Sequence, residues 1–463
     1  MQIPSILTTI SKKLQTTNAK AIIVGGWVRD HFLNLESKDY DVEVYGLKSL
    51  DELVEILQEY GSVNLVGKSF GVLKFNYDGD EYDFSFPRLE SKVGLGHRGF
   101  DVSIDGNLDF KTASKRRDFT MNAMGYDIVK KEFLDPFNGL IDIKKKQLKH
   151  VDSNSFTEDP LRVYRAVQFS ARFNYELADE TFTLCKQMVS SGMLDELAKE
   201  RVYEEFKKLL LKSSKPSIGF ELMRKLGIVK KYFPELEAIV GVKQSTKWHP
   251  EGDVWTHTML AVDMMSKELR SIELKSEKFS LKMLFATLCH DLGKATHTTV
   301  EEDGRIRSIG HESAGLEPTR SFMSKISNED SFISSILPLV EQHMMPSQFY
   351  YGKSKSSAIR RLATKVNIEE LVIVARADFL GRTTKESLSG VYEAGDWLLN
   401  KSKALNVSKK PLIPMLQGRD LIELGLKPSS KFKEILEYIY LKQLDGTVTN
   451  KRDAINLVNK FYI

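Results

Sequence analysis

Apolar and polar positions follow two different rhythms along this chain. From Ala21 to about Asp135, short β-rich runs alternate with turns: AIIV, YDVEVYG, VLKFNY, EYDFSF and EFLD carry the branched and aromatic residues that suit strands. After the first run, GG followed by WVRDHFLN reads as a tight turn leading into a helix. A compact mixed α/β domain is predicted here. After Pro136 the rhythm becomes helical. DSNSFTEDPLRVYRAVQFSARF has apolar residues at helical spacing, with Asp159 as the expected N-cap and Pro160 as the first helical position. Helices are expected from there onward, broken at 212–217 (KSSKPS), 247–253 (KWHPEGD) and 408–414 (SKKPLIP). The predicted class is α+β: a mixed-sheet domain over residues 1–140, then all-helical segments over 141–240, 241–405 and 406–463.

Composition narrows this picture without naming a partner. At 463 residues, and roughly 150 per domain, the chain holds about three domains, or two with a large helical annex. Hydrophobic residues at 41% and charged residues at 28% exclude a mostly disordered chain. The formal charge, 67 − 63 = +4, is too near balance to indicate nucleic-acid binding by itself, although a local basic face would not register in it. The run Lys144–Lys146 is expected to be solvated surface. Cys185 and Cys289, far apart in a long chain, are expected to be reduced thiols of a cytoplasmic protein. No run approaches about 18 apolar residues, and MQIPSILTTISKKL lacks a signal-peptide pattern, so no membrane association is expected.

Candidate chemistry begins at Gly25 and Gly26. A strand, a glycine turn and a helix start bring free amides and the positive end of the helix dipole together, an anion cradle, although a pair of glycines also fits an ordinary turn. In KDYDVEVYG, Asp39, Asp41 and Glu43 alternate with apolar residues and would share one strand face. Such a face can be plain solvated surface, but acidic residues are poor strand formers and like charges repel unless a cation lies between them, as an oxygen-ligated Mg²⁺ would. Asp83 in EYDFSF would complete a carboxylate triad if its strand paired alongside. Two metals so held would stabilise the attacking and leaving oxygens of an in-line phosphoryl displacement. Arg116 and Arg117 in KRRDFTMNAM offer guanidinium forks suited to triphosphate oxygens.

GGWVRD, KDYDVEVYG, DFSFPRLE, KRRDFTMNAM, LDPFNG and EDPLRVYRAVQFSARF, in this order over at least Ile22 to Phe173, resemble the class II tRNA nucleotidyltransferases and bacterial poly(A) polymerases. The resemblance implies a polymerase-beta-like head in which Asp39 and Asp41 bind Mg²⁺, Asp83 assists, and Gly25, Gly26, Arg29 and Arg117 hold the nucleotide. It implies that Asp159 and Arg162 imitate a Watson–Crick partner, with Arg165 adding a contact. That agrees with elementary chemistry, because a carboxylate accepts from an exocyclic amino group and a guanidinium donates to ring nitrogens or a carbonyl. Asp159 and Arg162 would also serve as a helix cap and an i,i+3 pair. Many relatives carry arginine where this chain has Gln168, implying that a phosphate interaction is missing there or is taken over by Arg172. The stretch between Glu90 and Arg116, with KVGLGHRGFD, is long enough for the flexible element that, by resemblance, CC-only enzymes lack.

Further on, His249, His257, His290, Asp291, His311, His343 and Asp378 recur in helical context. One buried histidine is usually a core residue, but adjacent His290 and Asp291 before LGK combine imidazole and carboxylate as a first-row metal site does. The ordered set resembles the HD superfamily of metal-dependent phosphohydrolases. The resemblance implies His257, His290, Asp291 and Asp378 as ligands, His311 and His343 as outer candidates, and Ni²⁺ or Mn²⁺ as the metal. The expected activity is addition of C, C and A to tRNA 3′ ends from CTP and ATP without a nucleic-acid template. The second centre is expected to act on phosphoesters, including 2′,3′-cyclic phosphates. An A-adding enzyme or poly(A) polymerase, and an HD phosphohydrolase with an RNA-binding head, are the alternatives. A monomer or homodimer is expected.

Overall fold

The computed structural model describes residues 3–66, 71–92, 94, 100–272 and 275–462. The chain divides into two compact units: residues up to Ser213 with Ile218–Ile228, and Ser214–Ser217 with everything from Val229 onward.

The first unit runs α1 (Ser5–Gln15), β1 (Lys20–Val24), α2 (Gly26–Phe32), β2 (Asp41–Tyr45), α3 (Leu50–Gln58), β3 (Ser62–Val66), β4 (Val72–Tyr77), β5 (Asp80–Ser85), β6 (Arg88–Lys92) and β7 (Phe100–Ile104). It continues with α4 (Phe110–Ser114), β8 (Gly125–Asp127), β9 (Glu132–Leu134), α5 (Gly139–Lys145), α6 (Ser153–Glu158), α7 (Leu161–Phe173), α8 (Asp179–Ser190) and α9 (Lys199–Lys212). Seven strands form one sheet in the order β3-β4-β5-β2-β1-β8-β9. β2 lies antiparallel to β1 and parallel to β5, with Val24 opposite Asp41 and Asp41 opposite Asp83. β1 and β2 each bury four of their five residues, so they form the floor of the unit. β6 and β7 pair separately as a ribbon. Most of the KVGLGHRGFD stretch lies outside the described residues.

Two sequence expectations shift. β2 begins at Asp41, so Asp39 precedes the strand instead of sharing its face. The helix expected to open at Asp159 starts one residue later, with Pro160 as its N-cap and Leu161 as its first residue, while Asp159, with φ −117° and ψ 98°, closes α6. Asp159 is therefore not the N-cap, although its Oδ1 accepts from the Leu161 amide at 3.2 Å. Lys144–Lys146 are exposed and Cys185 and Cys289 are buried free thiols.

The second unit is helical. Val254–Ser271, Glu277–Cys289 and Ile368–Gly381 pack on one another, with Asp330–Gln342 against the second and Glu393–Ala404 against the third. Lys431–Asp445 and Lys451–Tyr462 form a smaller core around Leu421, Ile435, Ile439 and Val458. Among the described residues no helix is long and apolar enough to cross a membrane.

Candidate active sites

The first site assembles where β1 ends. Gly25 has φ +73° and donates its amide to the Met124 carbonyl. A Cβ there would lie 2.8 Å from Arg117 Nη1 and 3.9 Å from Asp41 Oδ2. Glycine thus satisfies both a left-handed backbone and the close approach of two charged groups. Gly26 opens α2, and a Cβ on it would meet only Arg29 at ordinary contact distance.

On the strand face beside Gly25, Asp41 and Asp83 stand level on parallel neighbours. Asp41 is solvent-accessible, yet enough protein surrounds it that desolvation leads in raising its pKa; Arg117 opposes the rise, and Asp83, Glu43 and Asp39 add to it. Desolvation likewise raises Asp83, against Lys74, whose Nζ is 3.9 Å away and also pairs with Glu81. Asp83 Oδ1 is buried with no hydrogen-bond donor. Crowded carboxylates with an orphaned oxygen are the donor set a divalent cation fits. Among the described residues, Asp39, Asp41 and Asp83 do not form a group whose ligand atoms all lie within 4.8 Å of one another.

Glu43, on the same strand face as Asp41, does something different. It is 1% exposed and accepts from Arg116 at 2.8 Å, Arg117 at 2.9 Å and the Tyr45 hydroxyl at 2.8 Å. Burial pushes its pKa up, but Arg117, Arg116 and the Tyr45 bond outweigh this and hold it below the ordinary value. Glu43 therefore anchors the arginine pair beneath the open carboxylates.

The segment Arg116–Asp118 also reaches α7. Arg162 donates to the Ser155 carbonyl at 2.7 Å and the Arg116 carbonyl at 2.5 Å. Arg165 Nε donates to Asp118 Oδ2 at 2.7 Å, while Asp118 Oδ1 accepts from the Phe119 amide at 2.8 Å and Asn122 Nδ2 at 2.9 Å. Asn122 Oδ1 in turn accepts from Arg29, which is buried, pairs with Asp30 and lies over Phe169 and Phe173. Asp159 pairs with Arg201 of α9 at 3.1 Å. Gln168 is fully buried with Oε1 unpartnered, and Arg172 covers Phe173 with Asp30 at 3.9 Å. Sequence reasoning assigned no role to Asp118, Asn122 or Arg201, although the first two lie within the KRRDFTMNAM motif.

The second site is built from helix ends. His257 lies inside Val254–Ser271, His290 and His343 follow Glu277–Cys289 and Asp330–Gln342 directly, His311 opens His311–Ala314, and Asp378 lies in Ile368–Gly381. The turn after His290 is pressed against the His311 segment: a Cβ on Gly293 would fall 2.0 Å from the His311 carbonyl oxygen, so only glycine lets the two approach. His290, His311 and His343 each donate Nδ1–H to a carbonyl three residues upstream, those of Thr287, Ser308 and Val340, at 2.6–2.7 Å. That bond fixes the tautomer and leaves each Nε2 as a lone pair aimed inward.

Inside, the acceptors face one another. His311 Nε2 and His343 Nε2 are 3.4 Å apart, His257 Nε2 is 3.0 Å from Asp378 Oδ1, and the buried Asp291 carboxylate has His290 Nε2 at 3.2 Å and His311 Nε2 at 3.3 Å. Such an arrangement is unfavourable unless cations lie between the lone pairs. Asp291, His311 and His343 form one group with ligand atoms within 4.8 Å of one another, His257, His290 and Asp291 a second, and His249, Glu251 and His257 a third. Asp291 is common to the first two. Burial holds His343 neutral, its pKa lowered to about 3. Sequence reasoning missed Glu251, which accepts from His249 and His257, and the cations Lys294, 2.6 Å from Asp291 Oδ2, and Arg382, 2.9 Å from Asp378 Oδ2. A cavity of about 830 Å³ opens onto Asp291, His311, His343 and Asp378.

Three family models match the chain. Residues 21–149 match the model of the poly A polymerase head domain, 174–240 that of a probable RNA and SrmB-binding site of polymerase A, and 254–382 that of the HD domain. A protein of Thermotoga maritima solved as a CCA-adding enzyme complexed with tRNA shares the fold, with a TM-score of 0.61 over 99% of this chain and 96% of that one at 21% identity. A multifunctional CCA protein of Pseudoalteromonas atlantica is 32% identical over 92% of this chain and 98% of its own length. Another, of Methylobacillus flagellatus, is 34% identical over 78% of this chain and 84% of its own. With relatives 32% and 34% identical over 92% and 78% of its length, the chain belongs to the family of multifunctional CCA proteins.

Proposed function

We propose that the first unit adds C, C and A to tRNA 3′ ends from CTP and ATP, taking base identity from protein side chains. The observation that carries this reading is the register of β2 and β5, which sets Asp41 level with Asp83 beside the Gly25–Arg117 contact. Mg²⁺ held by Asp39 and Asp41 would offset triphosphate charge and acidify the attacking ribose hydroxyl. Asp83, with a free oxygen and a raised pKa, is suited to receive that hydroxyl's proton. The ribose oxygen bonds to the α-phosphorus and the bond to pyrophosphate breaks. Arg117, fixed by Glu43, and the amides after Gly25 face the phosphates. Asp159, Arg162 and Arg165 line the start of α7, tied to the same Arg116–Asp118 segment that borders the phosphate site. A purine or pyrimidine amino group would donate to Asp159, and its ring acceptors would meet Arg162.

Transcripts of tRNA lacking their last three nucleotides, incubated with labelled CTP, ATP or both, test this. The reading requires two C additions followed by one A. Addition of A alone, or of many A residues, would assign the A-adding or poly(A) activity instead, and full incorporation by Asp41→Ala would sink the carboxylate mechanism.

The second unit, in this reading, hydrolyses phosphoesters. Two ions such as Ni²⁺ or Mn²⁺ would bind His257, His290, Asp291 and Asp378 on one side and Asp291, His311 and His343 on the other, polarising the phosphoester and supplying a nucleophilic water. Lys294 and Arg382 put two cationic heads at the cavity wall for phosphate oxygens, and Arg382 Nε has no acceptor of its own. Release of phosphate from nucleotide 2′,3′-cyclic and terminal phosphates with added Ni²⁺ is the test. No turnover by the wild type would reduce the unit to a scaffold.

A further inference from the structure

Two guanidinium–carboxylate pairs flank the start of α7, and they differ in kind. Arg165 meets Asp118 at 2.6 and 2.7 Å, and that carboxylate is buried. Arg201, the third residue of α9, sets Nη2 against both oxygens of Asp159 at 3.1 and 3.4 Å, with the two side chains 26% and 21% exposed. Short bonds onto a buried carboxylate hold the first pair together, whereas a long, partly solvated pair contributes little and exchanges readily. The loosely held carboxylate is the one that reads the base under the proposed function. Its Oδ1 also takes the Leu161 amide at 3.2 Å, so each of its oxygens already has a protein donor. Arg162, the other reader, is fixed on the Ser155 and Arg116 carbonyls at 2.7 and 2.5 Å. Adjustment to an arriving base therefore falls to the contact between Asp159 and Arg201.

The donor that Arg201 offers is a planar NH₂ group, as are N4 of cytosine and N6 of adenine, while uracil and guanine carry a carbonyl oxygen at the corresponding position. We propose that Arg201 is a displaceable stand-in for the base: it keeps on Asp159 the place of the exocyclic amino group and yields it only to a base that brings one. The inference rests on the base-reading role of Asp159 and adds the competitor against which that residue reads. When cytosine or adenine docks, its amino group takes over the carboxylate and the guanidinium turns to solvent. Uracil has no hydrogen to offer there, so the ion pair persists and the base gains nothing from Asp159. The affinity for the right bases is lowered by the displacement of Arg201, and the affinity for the wrong ones is left where it was. A nucleotide is thereby held loosely enough to be exchanged between the C and A additions, with the reading carboxylate kept in position meanwhile.

The test is equilibrium binding of CTP, ATP and UTP, with Mg²⁺, to the full chain and to Arg201→Met, which keeps an unbranched stem and removes the N–H groups. The three ligands share one triphosphate, so any change in phosphate attraction cancels in the ratio of CTP to UTP affinity. Removing a partly solvated pair should raise this ratio, and that of ATP to UTP, about fivefold, equivalent to about 1 kcal/mol at 1.4 kcal/mol per tenfold. In an Asp159→Asn background the same substitution should leave the ratio unchanged, because the coupling needs both partners. A ratio that is unmoved or lower in Arg201→Met overturns the proposal and makes Arg201 a support for Asp159; so does a rise that persists undiminished beside Asp159→Asn. Should Arg201→Met fail to fold, Arg201→Gln sets a neutral amide against Asp159 and is read in the same way, with a rise of about twofold or more in support and no rise against. Asp159→Asn by itself separates the two readings. If it leaves the CTP to UTP ratio at the wild-type value, base reading by Asp159 fails and the inference with it; if it changes the ratio while the Arg201 variants do not, only the stand-in role falls.

Discussion

Replacing Asp118 by asparagine tests how the nucleotide-selecting helix is held. Four donors converge on this buried carboxylate: the Phe119 amide and Asn122 Nδ2 on one oxygen, Arg165 Nε and Nη2 on the other. Asparagine keeps the shape but offers one oxygen, and its amino group must then face two donors. Two hydrogen bonds disappear, both pairs becoming donor against donor, and the Arg165 charge is left without its counter-ion. At about 1–3 kcal/mol for each buried group left unsatisfied, and allowing for the part of Arg165 that reaches solvent, the loss is about 3 kcal/mol. At 1.4 kcal/mol per tenfold, that is about two orders of magnitude in the protection of local amides. Hydrogen exchange across Asp118–Asn122 and α7 measures it. Burial pushes the Asp118 pKa up, but Arg165 and Asn122 hold it below the ordinary 3.8. The wild-type advantage is therefore complete above that value and fades as the pH falls through the lowered one. Incorporation should lose discrimination between CTP and ATP together with protection, since Arg165 is freed. Protection reduced less than about fivefold, with selection intact, would refute the claim that Asp118 holds the helix.

Four further outcomes follow from the same geometry. Gly25→Ala puts a Cβ 2.8 Å from Arg117 Nη1 on a left-handed backbone that costs about 1–2 kcal/mol, and should raise the KM for both nucleotides about tenfold in incorporation assays. Glu43→Gln leaves Arg116 and Arg117 without their carboxylate and should destabilise by about 3 kcal/mol in urea melts. The difference should be complete above the ordinary glutamate value of 4.5 and vanish as the pH falls through the lowered pKa, because burial is outweighed there by the two arginines. Lys74→Met removes the ammonium that opposes the burial-driven rise at Asp83, so the acid limb of the incorporation pH profile should move to higher pH; an unmoved limb would take Asp83 out of proton transfer. Asp291→Asn should abolish binding at both histidine groups, read by elemental analysis after dialysis against Ni²⁺, whereas retention of half the metal would show that Asp291 is not shared.

What the sequence determined by itself was local. Alternating apolar positions specified β4 and β5, because one buried face per strand is a property of consecutive residues, and a continuous apolar run specified β1, which is buried on both faces. Gly25–Gly26 and His290–Asp291 were legible for the same reason: each is a short motif whose chemistry resides in its neighbours. The family resemblance then extended that reading to residues whose partners no local pattern shows. Even so, Asp39 was placed on the strand because periodicity does not say where a strand starts. Tertiary structure decided the pairings. Glu43 looked like a third open carboxylate until chain reversal brought Arg116 and Arg117 onto it. Asp118 had no assigned role until α7 supplied Arg165. His257 faces Asp378 across 121 positions, and Glu251, with no motif around it, orients that histidine. A charge is read from one residue, but whether it is free to act depends on the counter-charge that folding places beside it, and that partner is set by packing among distant segments.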